Sequence, residues 1–456
     1  MRRVLTVVSC LLASVVLMSD TAAAQPRPFD VRDLIAMDRL SEPAVSPDGT
    51  TIVFTQSVLD LEANRRRTDL WLVKTDGTGL RQLTTDPASD SSPVWHPDGT
   101  AVFFSSSRSG SSQVWRLDLA SGAQTQVTSL PLDVNAFALS PDGTRLIVAL
   151  DVFVDCATLE CTKQRLEEKA KSKATGQLYD RLFVRHWDTW SDGRRSHLFV
   201  LPLAGGTPVD VTKGMDGDAP GKPFGGADEF AFTPDGRGVV FSMRVAGREE
   251  PWSTNFDLYA VPADGSAAPR NLTAANKAWD TGPSFSPDGR TLAYRAMSRP
   301  GYEADRFHIV LRGWPDGPER VLTEPWDRSP NELVWSKDGR TLYTTADNLG
   351  QKSLFAIDVA SGDVKTVVKA GHMAAPAVVG DRLVVLLDHL KSHAELHSVR
   401  PDGSDLKAIT RVNAPRLAQL KLGDAEQFTF KGWNDETVYA WVVKPVDFDP
   451  AKKYPV

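Results

Sequence analysis

The sequence is poor in cysteine and has no surplus of positive charge. Its 456 residues carry 52 lysines and arginines against 58 acids, a formal charge of −6. Nothing in that balance gathers phosphate backbones, so a nucleic-acid partner is set aside. The chain also lacks an apolar run of the ~20 residues that a membrane-spanning helix needs. Its one apolar stretch, Val4 to Met18, is shorter, follows Arg2 and Arg3, and precedes Ala22-Ala23-Ala24. That order reads as a secretory signal, residues 1–24, cut after Ala24. Two arginines and one aspartate leave with it, so the mature chain of 432 residues carries −7. The expected location is periplasmic or secreted, with no membrane association after cleavage. Of the three cysteines, Cys10 lies in the apolar stretch and leaves with the signal. Cys156 and Cys161 remain, and the nearest histidine in sequence is His186, so a metal site there is short of ligands. An exported pair five residues apart reads as a disulfide.

What the chain has in abundance is a repeated turn. Ser46-Pro47-Asp48-Gly49 recurs as His96-Pro97-Asp98-Gly99, Ser140-Pro141-Asp142-Gly143, Thr233-Pro234-Asp235-Gly236, Ser286-Pro287-Asp288-Gly289 and Ser336-Lys337-Asp338-Gly339. The glycines are spaced by 50, 44, 93, 53 and 50 residues, the 93 being about one period plus an insertion. Proline presets φ for the first central position of a type I turn, aspartate suits the second, and glycine takes the left-handed position after it. A large apolar residue stands before each turn and another three residues after its glycine, as Trp95 and Val102 do, which places a strand on each side. A third strand follows with an apolar-aromatic pair such as Leu70-Trp71 or Val114-Trp115. A fourth closes on an aliphatic-threonine pair such as Leu83-Thr84 or Leu322-Thr323. A degraded seventh copy runs from Val378 through Leu387, Glu395-Leu396 and Ile409-Thr410. Seven four-stranded units predict an all-β seven-bladed β-propeller, because a lone blade cannot bury both of its faces.

The long spacing places an insertion at about 151–196 in the third blade, with a helix around Lys163 to Lys173. Before the first blade, Asp30 to Leu40 predicts a short amphipathic helix capped by Asp30. Arg65-Arg66-Arg67 reads as a solvated loop before the third strand of blade 1. His389, His393 and His397 would stack on one face of a helix, but the repeat puts the first two in a hairpin loop and the third in a strand, so no metal site is expected. After the seventh copy the pattern changes, with strands expected over Phe428 to Lys431 and Val438 to Lys444.

Phe430-Lys431-Gly432-Trp433-Asn434-Asp435-Glu436-Thr437-Val438, then Trp441-Val442-Val443-Lys444-Pro445, resembles the first strands of the hydrolase domain in the prolyl oligopeptidase family of serine peptidases, in its dipeptidyl peptidase 5 and acylaminoacyl peptidase branch. The resemblance covers the whole mature chain, including the insertion with His186-Trp187-Asp188-Thr189-Trp190. It implies a propeller at 25–414, followed at 415–456 by the start of an incomplete α/β-hydrolase domain. In that family a His-Gly-Gly-Pro stretch and a Gly-x-Ser-x-Gly elbow come later, and neither occurs in these 456 residues, so no catalytic residue is assigned. The implied role is the gating and substrate-selecting part of an exopeptidase that takes peptides and needs no cofactor. Whether the chain forms a homo-oligomer is left open.

Holding a peptide's free α-ammonium favours a carboxylate on the propeller side. The candidates are Glu167 and Glu168 on the inserted helix and Asp188 in the aromatic segment, with His186, Trp187 and Trp190 lining the cleft. Against them stand plainer roles, a solvated helix face and an aromatic anchor for the insertion. The competing function is a non-catalytic periplasmic propeller of the Tol type that binds protein partners.

Overall fold

The computed structural model describes residues 25–456, so the expected signal segment lies outside the described residues. Strands group into four-stranded antiparallel units at 39–82, 90–126, 136–210, 230–271, 280–321, 334–368 and 372–408. Each unit pairs its four strands in chain order, and in the third the two short strands of the insertion fall between its second and third strands without joining it. Units six and seven are joined by a single parallel bridge between Lys352 and His372, which merges them into one eight-stranded sheet.

Seven apolar cores explain why the units assemble. Each core draws on two neighbours: Val53, Leu70 and Phe104 join units one and two; Phe103, Leu146 and Phe199 join two and three; Ile147, Leu198 and Phe241 join three and four. The series continues through Val240 with Tyr294, Ile309 with Ile357, and Leu354 with Val385. The seventh core packs Ile52, Phe54 and Val73 of the first unit against Val384, Leu386 and Leu396 of the last, so the units form a closed ring of seven blades. Closure exchanges no strand between blade 1 and blade 7. The ends are clasped by reciprocal bonds, Asp38 N donating to Asn413 Oδ1 and Asn413 Nδ2 to Asp38 O, both at 2.9 Å. Arg27–Pro28 also pairs in parallel with Leu420–Lys421.

The repeated residues do the work expected of their chemistry. Ser286 and Ser336 hydroxyls donate to Asp288 and Asp338 at 2.6 Å, while the aspartates also accept the backbone N–H two residues on, closing the turn. Gly49 sits at φ +74°, where a side chain is strained. The threonine after the fourth strand has a role the repeat did not disclose: its hydroxyl accepts the N–H of the third strand where the ladder has stopped. Thr84 does so from Leu70, Thr128 from Val114, Thr212 from Leu198, Thr273 from Leu258, Thr323 from Ile309 and Thr410 from Leu396, all at 2.9 to 3.1 Å. These groups are buried, so an empty position there costs the desolvation of an orphaned N–H.

Some expectations shift. The N-terminal helix is Val31–Ala36, shorter than read, capped by Asp30 in a capping box with Asp33. The inserted helix is Leu159–Lys171. Arg65-Arg66-Arg67 is not a loop but the start of the third strand of blade 1, Arg65–Lys74, and Arg66 Nη2 donates to Ile35 O at 2.7 Å, tying the helix to the blade. His389 ends the strand Arg382–His389 and His393 belongs to the strand Ser392–Val399, so neither lies in a loop, because the seventh-blade hairpin turns on Leu390 and Lys391 alone. Four inner strands contain an unforeseen bulge at a left-handed residue before proline, at Glu42, Ser92, Gly282 and Ala375. Glu42 Oε2 accepts the Ser92 N–H at 2.8 Å, linking bulges of adjacent blades.

Two substitutions test the closure. Phe54→Ala, in the fully buried seam between blades 1 and 7, is expected to cost about 3 to 5 kcal/mol in denaturant unfolding. Thr410→Val, which strands the Leu396 N–H and removes the 2.6 Å bond to the buried Glu395 carboxylate, is expected to cost about 1 to 3 kcal/mol. A loss near zero for both would mean that this seam does not hold the ring.

Candidate functional site

One end of the ring carries the turns of the Pro-Asp-Gly repeat. The opposite end carries the connections between second and third strands and those leading from one blade to the next, and there the chain departs from its repeat. The 151–196 insertion, the N-terminal helix and the segment after blade 7 all gather at that end.

The insertion starts with a disulfide. Cys156 and Cys161 are bonded, with Cα atoms 5.6 Å apart, at the first turn of Leu159–Lys171, which Thr158 caps. Arg165 pairs with Asp155 at 2.8 Å and lies 4.5 Å from the Phe153 ring. Glu167 and Glu168 are exposed and make no hydrogen bond or ion pair among the described residues. Arg185–His186 and Thr189–Trp190 then form a small hairpin whose tip is Trp187 and Asp188. His186 and Trp187 gather with Phe224, from the connection between blades 3 and 4, with centroids 5.0 to 5.5 Å apart. Trp190 stacks on Tyr179 at 6.1 Å. Trp187 and Phe224 remain 71% and 72% exposed, so this cluster faces outward instead of anchoring the insertion in a core. Asp188 is exposed at its edge. The structure therefore joins His186 and Trp187, sets Trp190 nearby, and brings none of the three candidate carboxylates into a polar contact.

Beneath the insertion lies an ion network the sequence reading missed. Arg195 meets Asp216 and Asp218 at 2.9 Å and Glu250 at 2.7 Å, and Glu250 is 8% exposed. Arg181 of the insertion reaches Asp216 at 2.9 Å, and Arg244 stacks on Phe256 at 4.8 Å and on Phe183 of the insertion at 5.8 Å. Burial alone would lower the Arg195 pKa, but the three carboxylates outweigh it and hold the guanidinium charged. This network pins the insertion to blades 3 and 4. It borders a polar cavity of about 390 Å³ lined by 176–183, Ser191 to Arg195 and Glu250.

On blades 6 and 7, strands Ala425–Lys431 and Thr437–Val443 form an antiparallel ribbon. Trp441 Nε1 donates to Gly350 O at 3.2 Å and Lys391 pairs with Asp424 at 2.6 Å, so the ribbon sits on the strand-joining turns of both blades. A cavity of about 980 Å³ opens between them, bordered by Arg328, His372, Asp388 and Trp441. Phe428, Phe430 and Val442 share the face of the ribbon opposite Trp441 and are 46%, 50% and 38% exposed.

A family model described as a TolB beta propeller domain matches residues 36–170. The dipeptidyl-peptidase 5 of Porphyromonas gingivalis is 28% identical over 426 residues, covering 92% of this chain and 61% of that protein. The chain spans about three fifths of the length of the curated relatives it matches. An acylaminoacyl peptidase in complex with Z-Gly-Gly-Phe-chloromethyl ketone superposes with a TM-score of 0.72 at 16% identity, over 94% of this chain and 61% of that one. The resemblance to the dipeptidyl-peptidase 5 and acylaminoacyl peptidase branch holds. The propeller domain of the Trilobed protease from Pyrococcus furiosus, described as having an open velcro topology, matches with a TM-score of 0.55 at 15% identity, over 83% of this chain and 97% of that one. It agrees in fold with the ring seen here, closed without strand exchange. Among the described residues no helix is long and apolar enough to cross a membrane.

One buried acid stands apart from its repeat. Asp90 and Asp280 occupy the same inner-strand position of blades 2 and 5, facing Ser106 and Ala296. Asp90 is paired with Arg108, whereas Asp280, 1% exposed, has only a 2.8 Å bond from Asn276; each acid has one oxygen without a hydrogen bond among the described residues. Burial pushes Asp280 up to about 7, and the nearby Asp257 and Glu319 add to the rise. An unfolded-state carboxyl titrates near 4, so between pH ~4 and ~7 the folded chain holds a proton that the unfolded chain has lost. Stability from this group is complete below that window and falls as pH rises through it, by roughly 4 kcal/mol. Asp280→Asn is expected to flatten this slope and raise the melting temperature at pH 7 to 8. An unchanged pH profile in thermal denaturation would refute it.

Proposed function

We propose that residues 25–414 are the gating and substrate-selecting propeller of an exported serine exopeptidase, and that 415–456 begin its α/β-hydrolase domain. The observation that carries this reading is the ribbon at 425–443. A two-stranded ribbon is marginal alone, and this one turns an apolar face away from the propeller while fixing its other face on the turns of blades 6 and 7. That supports further strands adding to it over the same end of the ring that carries the insertion. The catalytic chemistry belongs to that hydrolase body, and the propeller contributes access and substrate position.

In this reading the cleft lies between the insertion on blades 3 and 4 and the ribbon on blades 6 and 7. His186, Trp187 and Trp190 offer aromatic surface to a peptide's apolar side chains. Glu167, Glu168 and Asp188, exposed and without a hydrogen bond or ion pair among the described residues, are placed to meet its α-ammonium. The relatives support a dipeptidyl or acylaminoacyl preference and a peptide as the partner, and the signal-like order of residues 1–24 supports a periplasmic or secreted setting. A protein-binding role of the Tol type is the second reading, favoured by the family model at 36–170.

Dipeptidyl and acylaminoacyl reporter substrates test the proposal. Residues 25–456 alone are expected to give no turnover, and the chain extended through an in-frame hydrolase domain is expected to give it. In the extended protein Trp187→Ala should raise KM and leave kcat unchanged, because the ring contacts substrate away from the reacting bond. Turnover by residues 25–456 alone would sink the division of labour, and an extended protein inert on every reporter would favour the Tol-type role.

A further inference from the structure

The amino-terminal strand is anchored by its third residue if the signal is cut after Ala24. Arg27 N donates to Gln419 O at 3.1 Å and Phe29 N to Lys421 O at 3.3 Å. Arg27 also makes a two-pronged pair with Asp33 at 2.6 and 2.7 Å, and Asp33 is 5% exposed. Gln25 and Pro26 precede this anchor, are exposed, and make no hydrogen bond among the described residues. Cleavage after Ala24 therefore leaves glutamine as a new amino terminus, solvent-facing and held by nothing, at the head of a strand that cannot move away with it.

We propose that Gln25 is a modification site that closes to a pyroglutamyl lactam in the mature protein. The free α-amine attacks the side-chain amide carbon of the same residue. A carbon–nitrogen bond forms to that carbon, its bond to the amide nitrogen breaks, and the nitrogen leaves as ammonia with a proton taken from the α-amine. The step is intramolecular, needs no oxidant or co-reactant, and requires only that both groups of Gln25 be free of other partners. Two consequences follow for this chain. The lactam removes the positive charge of the amino terminus and leaves the Arg27–Asp33 pair as it stands. It also removes the free α-amine, so an amine-requiring exopeptidase, including the dipeptide-releasing activity proposed above, finds no terminus to grip while the strand clasping Leu420–Lys421 stays whole.

The inference rests on the cleavage reading and is independent of the peptidase chemistry. The test is intact mass and amino-terminal peptide mass spectrometry of the exported protein recovered from the periplasm or medium. The expected mass is that of residues from Gln25 onward, lighter by one ammonia, with the amino-terminal peptide blocked to amine-specific labelling. Gln25→Ser should show no such loss and should label, and its folding is expected to be unaffected because Gln25 is exposed and makes no hydrogen bond among the described residues. An open-chain Gln25 terminus overturns the lactam. A terminus at any other residue overturns the cleavage reading, and neither result bears on whether the extended protein hydrolyses peptides.

Discussion

The structure depends on one constraint: a four-stranded sheet has two apolar faces, and neither can meet water. Each blade solves this by sharing a core with both neighbours, and the solution is complete only when the last blade meets the first. Here that final contact is made by side chains, with Ile52 and Phe54 against Val384 and Leu386. No strand crosses the seam, so the Asp38–Asn413 clasp and the pairing of Arg27–Pro28 with Leu420–Lys421 are what add polar closure to it. The same residues fix the entry and exit of the chain side by side. Anything following the ring must therefore start from the end that carries the insertion.

Equivalence of the blades frees that end to vary. The turn end is held by the same serine or threonine, aspartate and glycine in five of the seven blades, and each depends on the others, since in blade 5 the aspartate accepts the serine hydroxyl and one backbone N–H while the serine hydroxyl accepts the next N–H. At the opposite end the strands are already paired, so a connection can lengthen from two residues in blade 7 to more than forty in blade 3 without disturbing a core. Holding so long an excursion in one place needs contacts of its own. The Arg195 network and the Arg244 stack supply them, and its buried charges are tolerable because each has an opposite partner within hydrogen-bond reach.

How much of this the residues disclosed depends on range. The repeat disclosed blade number, strand order and the insertion, and cysteine spacing disclosed the Cys156–Cys161 pairing, because each rests on local turn chemistry or short spacing. The bulges were missed although a local mark exists, a proline three residues before the serine of the turn, as in Glu42-Pro43, or before the histidine that replaces it, as in Ser92-Pro93. Arg65-Arg66-Arg67 misled because three like charges suggest solvent, while strand alternation turns the middle one toward the Ile35 carbonyl. The seventh-blade histidines were placed by analogy with a blade whose loop is longer. The Arg195 network could not be read at all, since its partners come from positions 181, 216, 218, 244 and 250 and meet only after two blades have packed.

Asp90 and Asp280 show why the repeat finds the scaffold more readily than the site. The two residues share identity, strand position and burial, and alignment of the blades makes them interchangeable. Their surroundings differ because Arg108 stands beside one, while the other has a single bond from Asn276 and is pushed up to about 7 by burial. Electrostatics is thus set by what the repeat does not conserve. The same holds for the outward-facing aromatics at Trp187 and Phe224, which no blade periodicity calls for and no core absorbs. A residue that folding leaves unexplained in a molecule this regular is where binding to something else is to be sought.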